Sequence, residues 1–598
     1  MEIAMKRLAT LLILVTMILV PMPVWGNTSE SDAGTHPAGT SFVDANLEYP
    51  EGTSGPKMRL QSVSTKYPED GNYKRYATPV KDQGDNGLCW DFAATAVMET
   101  ALKKSGKGNY DLSEAHMAYA MSNHGGNKYG YNRAPSGGGN AYEAATYMMR
   151  GMPSGDCAGG MVQESADPYS TELLKDRSSS VTLRGKQKVV MPENIIFINS
   201  KSTDANTMTK VKNAIRRYGS VGASYYSNAS YYNWNTGAYY QNLKGSEGAN
   251  HAVQIVGWDD EYSRYNFKSS CRPASDGAWI VKNSWGTYRG KSGYYFISYC
   301  DKAFPTNTYA IDGVREYNSN TVKTYEYDYT ETYEHGYKVD NTNTGLMMRT
   351  FVAESDEVVT DVSVYISSAY GVTEADIMTD CGNKENFKFS TKGSILTEYP
   401  GWYTIKLDAP VLVRKGQTFG AVIRSDAFIK VNSEDVRGSA YCRNGKWYSA
   451  NNNSKDDGWC IKARTSSEAK LVKTYIDRDN REKAAKAAAT KPTVKESISL
   501  KPVKIKKPKT TKKSTTIRWA KLSKKARKSI KNVEIQFSPD KSFRTGVKRV
   551  IVKSKKSSKK IGKLAKGRKY YVRVRAYTKA GNTIRVSKWS SVKSFKAK

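Results

Sequence analysis

The chain has 598 residues, 39% hydrophobic and 25% charged, with a formal net charge of +36 at pH 7. At roughly 100 to 200 residues per domain, that length excludes a single core and calls for three or more domains. Residues 501–598 hold 35 Lys and Arg against 2 Asp and Glu, about +33 of the total, so the basic balance describes the partners of one segment and not the chemistry of the whole.

Lys6 and Arg7 precede an apolar run from Leu8 to Val20, closed by PMPVWG. This is a signal-peptide pattern over 1–26. The run is 13 residues long, short of the roughly 20 needed to span a bilayer as a helix. Export, cleavage near Gly26 and no membrane span after signal removal are expected. Residues 27–65, rich in Ser, Thr, Gly and Pro, read as a short pro-segment or tether. The seven cysteines leave at least one free thiol; the remaining six can be bridged or reduced, and Cys442 with Cys460, flanking an Asn444-Gly445 turn, is the favoured pair.

The chemistry begins at TPVKDQGDNGLCWDFAATAVMETAL, a Gly-punctuated loop that becomes an apolar helical run at Cys89. A thiol at a helix N-terminus meets unpaired N–H groups and the positive end of the dipole, which favour thiolate. Downstream, NHAVQIVGWDD sets His251 in a strand-like stretch, and AWIVKNSWGTYRGKSGYYFIS sets Asn283 at the end of another. Thiol, imidazole and amide are the parts of a Cys-His-Asn nucleophilic site. Each alone has a blander reading: a buried Cys, a core His, a turn Asn. Three in this order, each with its own flanks, favour the site. His116 falls on an apolar helix and is expected to pack; His124, before Gly-Gly, is expected to face solvent.

These stretches resemble the papain-like cysteine peptidases, family C1, over about Lys66 to Asp312. The resemblance implies an α+β papain-like fold, a helical half plus a β-barrel half, over 66–312. It makes Cys89 the nucleophile, His251 the general base, Asn283 the residue that orients it, and Gln83 the oxyanion-hole side chain. Trp285 of KNSWG would shield the His251–Asn283 bond. The glycines of SGGGNAYEAATYMM, with Gly138 and Gly139 foremost, and Asn250 would line the substrate groove. Polypeptides are the implied substrates, with no cofactor and no metal. A thiolate–imidazolium pair would attack a peptide carbonyl and pass through a thioester.

Two features depart from the family pattern. Asn86 stands where a second cysteine usually precedes the nucleophile by three positions, so that disulfide cannot form and the loop must be held by packing or hydrogen bonds. His251 lies 162 residues after Cys89, beyond the roughly 130 to 150 of the family motif, which implies insertions in the second half-domain. The 27–65 segment is also short and polar for the family's helical inhibitory propeptide.

From 313 to 463 the periodicity becomes that of strands, as in EVVTDVSVYISS, GWYTIKLDAPVLV and QTFGAVIRS, the pattern of a β-sandwich. It resembles the lectin-like domain of some bacterial peptidases; Trp402, Trp447 and Trp459 are candidates either for glycan contact or for the core. Residues 464–490 read as an Ala/Lys-rich helix or spacer. Residues 491–598 resemble a fibronectin type III domain, with Trp519 as core tryptophan and Leu564, Gly567 and Tyr570 as its tyrosine corner. So basic a unit predicts an anionic cell-wall polymer or glycan as partner; nucleic acid is not expected, since export separates the two and no base-reading motif is visible.

The leading reading is a secreted or cell-surface cysteine endopeptidase, extracellular and associated with the cell wall. Two others stand beside it: acyl-transfer or cell-wall amidase chemistry on the same Cys-His pair, and a non-catalytic surface adhesin.

Overall fold

A computed structural model describes residues 64–598 apart from short segments, the longest being 152–159, 172–185, 330–344, 450–457 and 489–502. The expected signal peptide, nearly all of the 27–65 segment, Cys157, His124 and the Asn444 turn position lie outside the described residues. Among the described residues, no helix is long and apolar enough to cross a membrane.

The first unit has a helical half and a strand half. The helix Cys89–Lys104 is buried from Trp90 through Leu102, as its Ala-rich sequence permits: small side chains let neighbours approach from every side. Helices Glu114–Ala120 and Ala141–Met149 pack beside it, capped at their N-termini by Ser113 and Asn140 respectively. His116 is buried and its Nδ1 meets the Tyr147 hydroxyl at 2.6 Å. The strand half runs in the order Lys188–Ile198, Thr306–Glu316, Val221–Tyr225, His251–Asp259, Ala278–Lys282, Tyr294–Ser298. These neighbours are all antiparallel.

This sheet does not stop at the first unit. Gly401 and Trp402, at the start of the long strand Gly401–Val413, pair with Ile196 and Ile195, so one sheet continues into the sandwich strands Glu357–Ile366 and Ile461–Ser466. A glycine is required at the junction: Gly401 has φ +146°, and a Cβ there would fall 2.0 Å from the Ile195 carbonyl oxygen. A second sheet of six strands, including Leu346–Val352, Gly371–Met378 and Thr418–Ser425, completes the sandwich. One hydrophobic core runs from Val253 and Tyr295 to Val364, Ile423 and Trp459. Trp402 and Trp459 are buried, and Trp447 packs against a small satellite core, so all three tryptophans serve packing. The favoured Cys442–Cys460 bridge is not made: Cys442 sits in that satellite core with Met348 and Met378, whereas Cys460 packs under the helical half with Tyr365 and Trp402.

The Ala/Lys-rich segment forms the helix Ala469–Ala488, whose Asp479 pairs with Arg414 of the sandwich at 3.2 Å. The last unit is a two-sheet sandwich of three and five strands. Trp519 is buried, Tyr570 is buried with its hydroxyl accepting from the Ala565 N–H, and Gly567 has φ +80°. This unit is seated on its neighbour: buried Arg575 bridges Asp426 at 2.6 Å, and Val372 packs with Tyr577, Leu396 and Val586.

Candidate active site

The loop before Cys89 is fixed on both sides. The Gln83 N–H donates to the Ser284 carbonyl at 2.9 Å, and the Gln83 side chain is clamped between the Ser284 hydroxyl on Oε1, 2.6 Å, and the Asn86 carbonyl under Nε2, 2.7 Å. One N–H of the Gln83 amide remains for another acceptor. Asn86 donates to the Tyr169 hydroxyl at 2.9 Å, and that hydroxyl donates to the Gln83 carbonyl at 2.7 Å. Here is what holds the loop where no disulfide can: a tyrosine 80-odd residues away in sequence staples both ends of it.

Cys89 opens the helix after Leu88, which offers no side-chain cap, so the first N–H groups stay available. The Ala252 N–H, of the residue after His251, is among the groups that draw the Cys89 thiol down. The His251 Nε2–H donates to Asn283 Oδ1 at 2.8 Å, and the Ser284 N–H donates to the same oxygen at 2.8 Å. Trp285 stacks over the imidazole, with centroids 4.6 Å apart and planes at 29°. The structure thus gathers Gln83, Cys89, His251, Asn283 and Trp285 at the seam between the two halves.

Burial pushes the Cys89 thiol up to about 11, against the pull of the Ala252, Trp90 and Cys89 N–H groups. It pushes His251 down to about 4, against the Asn283 bond. The N–H groups at the helix start favour thiolate, as the sequence suggests, but burial outweighs them. Each charge is disfavoured singly; the ion pair is open to this site only when one proton transfer creates both charges together.

The groove residues fare differently. A Cβ at Gly138 would meet nothing within 4 Å, whereas at Gly139 it would fall 2.6 Å from the Trp90 ring. Gly138 borders open space and Gly139 is a packing glycine. The Asn250 side chain is engaged by the backbone of Ser227, accepting at 2.6 Å and donating at 3.0 Å, so it shapes the loop after the strand Val221–Tyr225.

Sequence reasoning missed the supports behind the site. Gln254, three residues after His251, sets its Nε2 2.7–2.9 Å from the Ala96 carbonyl, Thr100 Oγ1 and Ser220 Oγ, with two hydrogens shared among them, tying the histidine strand to the Cys89 helix. Lys81 pairs with Glu99, Asp111 and Glu114 at 2.8–3.1 Å, and Lys282, next to Asn283, donates to Thr78 Oγ1 at 3.0 Å. Burial pushes the Glu114 carboxyl up and the Lys282 ammonium down, to about 8. The signal was present: Glu99 falls in the apolar middle of its helix and Glu114 opens the next, apolar one, and a carboxylate does not go inside unpaired.

A half-buried thiol beside an imidazole that is held by an amide, where a helical half meets a strand half, defines the cysteine peptidases of papain type. Residues 68–356 match the Papain family cysteine protease, 324–465 the Lectin like domain and 501–593 the Fibronectin type III domain. Cathepsin K of Gallus gallus is 30% identical over 230 residues, a stretch covering 38% of this chain and 58% of that protein; pro-cathepsin H of Mus musculus is 25% identical over 256 residues, 42% and 65% respectively. The chain thus spans less than two thirds of these curated relatives. Among solved structures, the cysteine protease and lectin-like domains of Cwp84, a surface layer associated protein of Clostridium difficile, are 26% identical with a TM-score of 0.56, covering 70% of this chain and 92% of that one. Cwp84 after propeptide cleavage gives 27% and 0.55, covering 66% and 97%.

Proposed function

We propose that the chain is a cysteine endopeptidase acting outside the cell, with Cys89 as nucleophile. The observation that carries this is the His251–Asn283 bond of 2.8 Å under the Trp285 stack, with the Gln83 amide held by Ser284, next to Asn283, at 2.6 Å. With Nε2 committed to Asn283, Nδ1 is the nitrogen that takes the thiol proton. The sulfur bonds to the scissile carbonyl carbon, and charge builds on the carbonyl oxygen. The free N–H of Gln83 and the N–H of Cys89 meet that charge, each donor contributing about 2.7 to 4 kcal/mol. His251 then returns its proton to the leaving amine as the C–N bond breaks, leaving a thioester. Water, deprotonated by His251, cleaves the thioester, and the thiol is restored. Asn283 carries no charge, so it orients the ring without competing for its proton.

Attachment to an outer surface fits both the surface-layer association of Cwp84 and the positive charge concentrated in the last domain, which attracts polyanions. The test of the peptidase reading is turnover of casein and a mixed peptide library under reducing conditions, with Cys89→Ala alongside. Cleavage by the wild type alone, stopped by a thiol-directed epoxide, is the expected result. Equal turnover by Cys89→Ala would remove the scheme; a folded wild type that cleaves nothing would return the adhesin and acyl-transfer alternatives.

A further inference from the structure

The positive charge of the last domain is focused as well as abundant. The short helix Ala526–Ser529 and the turn that follows the strand Lys548–Lys553 enclose an open concavity of about 540 Å³. Its walls carry Lys524, Arg527, Lys528, Lys531, Lys553 and Lys555, with no carboxylate among them.

Three observations make this more than a solvated lysine surface. First, the frame is built: the Ser554 N–H donates to the Lys531 carbonyl at 2.9 Å, the Ile530 N–H to the Ala526 carbonyl at 2.9 Å, and Ile530 is anchored in the domain core. Second, the cations are unneutralised. None of the six has an ion-pair partner among the described residues, and Arg527 Nε is buried with no acceptor. Third, the domain's own acids are not at hand. Of the two acids in 501–598, Glu534 is buried between Arg549 and Arg575 at 2.9 and 2.8 Å, and Asp540 is not among the lining residues. Six like charges around one hollow repel one another and raise a local potential that only an external anion relieves.

We infer that this concavity is a binding site for a phosphate polymer, an extended chain of phosphodiester or phosphoanhydride groups. It extends the surface-attachment reading above and rests on that reading only for the sign of the partner; the peptidase site plays no part. The lining offers no aromatic ring on which bases would stack and no hydrophobic residue for peptide side chains, its apolar surface being the stems of the cations themselves. What it offers is a guanidinium fork ringed by ammonium groups, suited to successive tetrahedral oxyanions.

The test uses the full chain and inorganic polyphosphate as probe, with polyglutamate as the carboxylate comparison. A site variant carries Arg527→Gln, Lys528→Gln, Lys531→Gln and Lys553→Gln. A control of equal charge carries Lys559→Gln, Lys560→Gln, Lys566→Gln and Lys569→Gln, all exposed and outside the concavity. The expected result is at least about tenfold weaker polyphosphate binding by the site variant, with the slope of log Kd against log salt reduced by about 3, at about 0.7 per lost contact. The control should stay within about threefold of wild type, and polyglutamate should bind more weakly than polyphosphate. Equal losses in both variants would show diffuse attraction and overturn the site, and equal affinity for polyglutamate would overturn the phosphate assignment. Casein turnover by both variants should match wild type, so a failed peptidase reading is distinguished from a failed polymer site.

Discussion

Tyr169→Phe removes one oxygen and leaves the ring, including its edge-to-face contact with Phe92 at 4.9 Å between centroids. That oxygen accepts from Asn86 and donates to Gln83. At about 1 kcal/mol net per hydrogen bond, the pair is worth about 2 kcal/mol; because the site is part-buried and water can replace some of the loss, about 1 to 2 kcal/mol is expected. For a domain of this size that is a fall of about 3 to 6 °C in Tm. The loop it frees carries the Gln83 donor, so kcat/KM should drop about tenfold, 1.4 kcal/mol of transition-state stabilisation. Scanning calorimetry and peptide hydrolysis read the two effects. A double-mutant cycle with Asn86→Ala should show a coupling of about 1 kcal/mol. An unchanged Tm with kcat/KM within about twofold of wild type would refute the claim that Tyr169 replaces the missing disulfide.

Asn283→Ala removes the acceptor of His251 Nε2–H and should lower kcat about tenfold or more, read from saturation kinetics, with the fold kept by the Trp285 stack. Burial raises Asp301 to about 7 despite the N–H of Ala303. The folded protein then holds an extra proton between about pH 4 and 7, so this group's stabilisation is full below about pH 4 and lost as pH rises through 7. Asp301→Asn should therefore stabilise the protein at pH 8, by up to about 4 kcal/mol, and do nothing at pH 3.5, as read by urea titration. Lys81→Met takes the cation from buried Glu99 and should cost about 3 to 5 kcal/mol at pH 7, by the same titration. Asp426→Asn removes the charge facing Arg575 and should lower the unfolding transition of the last domain by about 1 to 3 kcal/mol in calorimetry, leaving the peptidase transition in place.

Cys89, His251 and Asn283 were legible because each sits in a local string whose pattern survives without its partners. Asn86 was legible as a problem but its solution was not: Tyr169 is 83 residues away, and nothing local marks a hydroxyl that will arrive from elsewhere. The same distance hid Gln254 and the sheet that runs from Ile195 into Trp402, since strand pairing is a tertiary choice. Trp402 and Trp459 were ambiguous because an aromatic side chain suits a glycan face and a core equally well; burial alone decides. The Cys442–Cys460 expectation failed because closeness in sequence does not place two side chains in one core.

The seat of the last domain, Arg575 on Asp426 with Val372 and Tyr577 beside them, changes what anchoring does. A loose leash would let the catalytic groove sweep a hemisphere and cut whatever it met. If the last domain fixes the chain to a surface, as proposed, a bracket holds the groove at one height and one bearing above it. A peptidase so held would choose its cuts by where a neighbour's exposed loop stands as much as by what that loop spells, and a neighbour of the wrong stature would escape with its sequence intact.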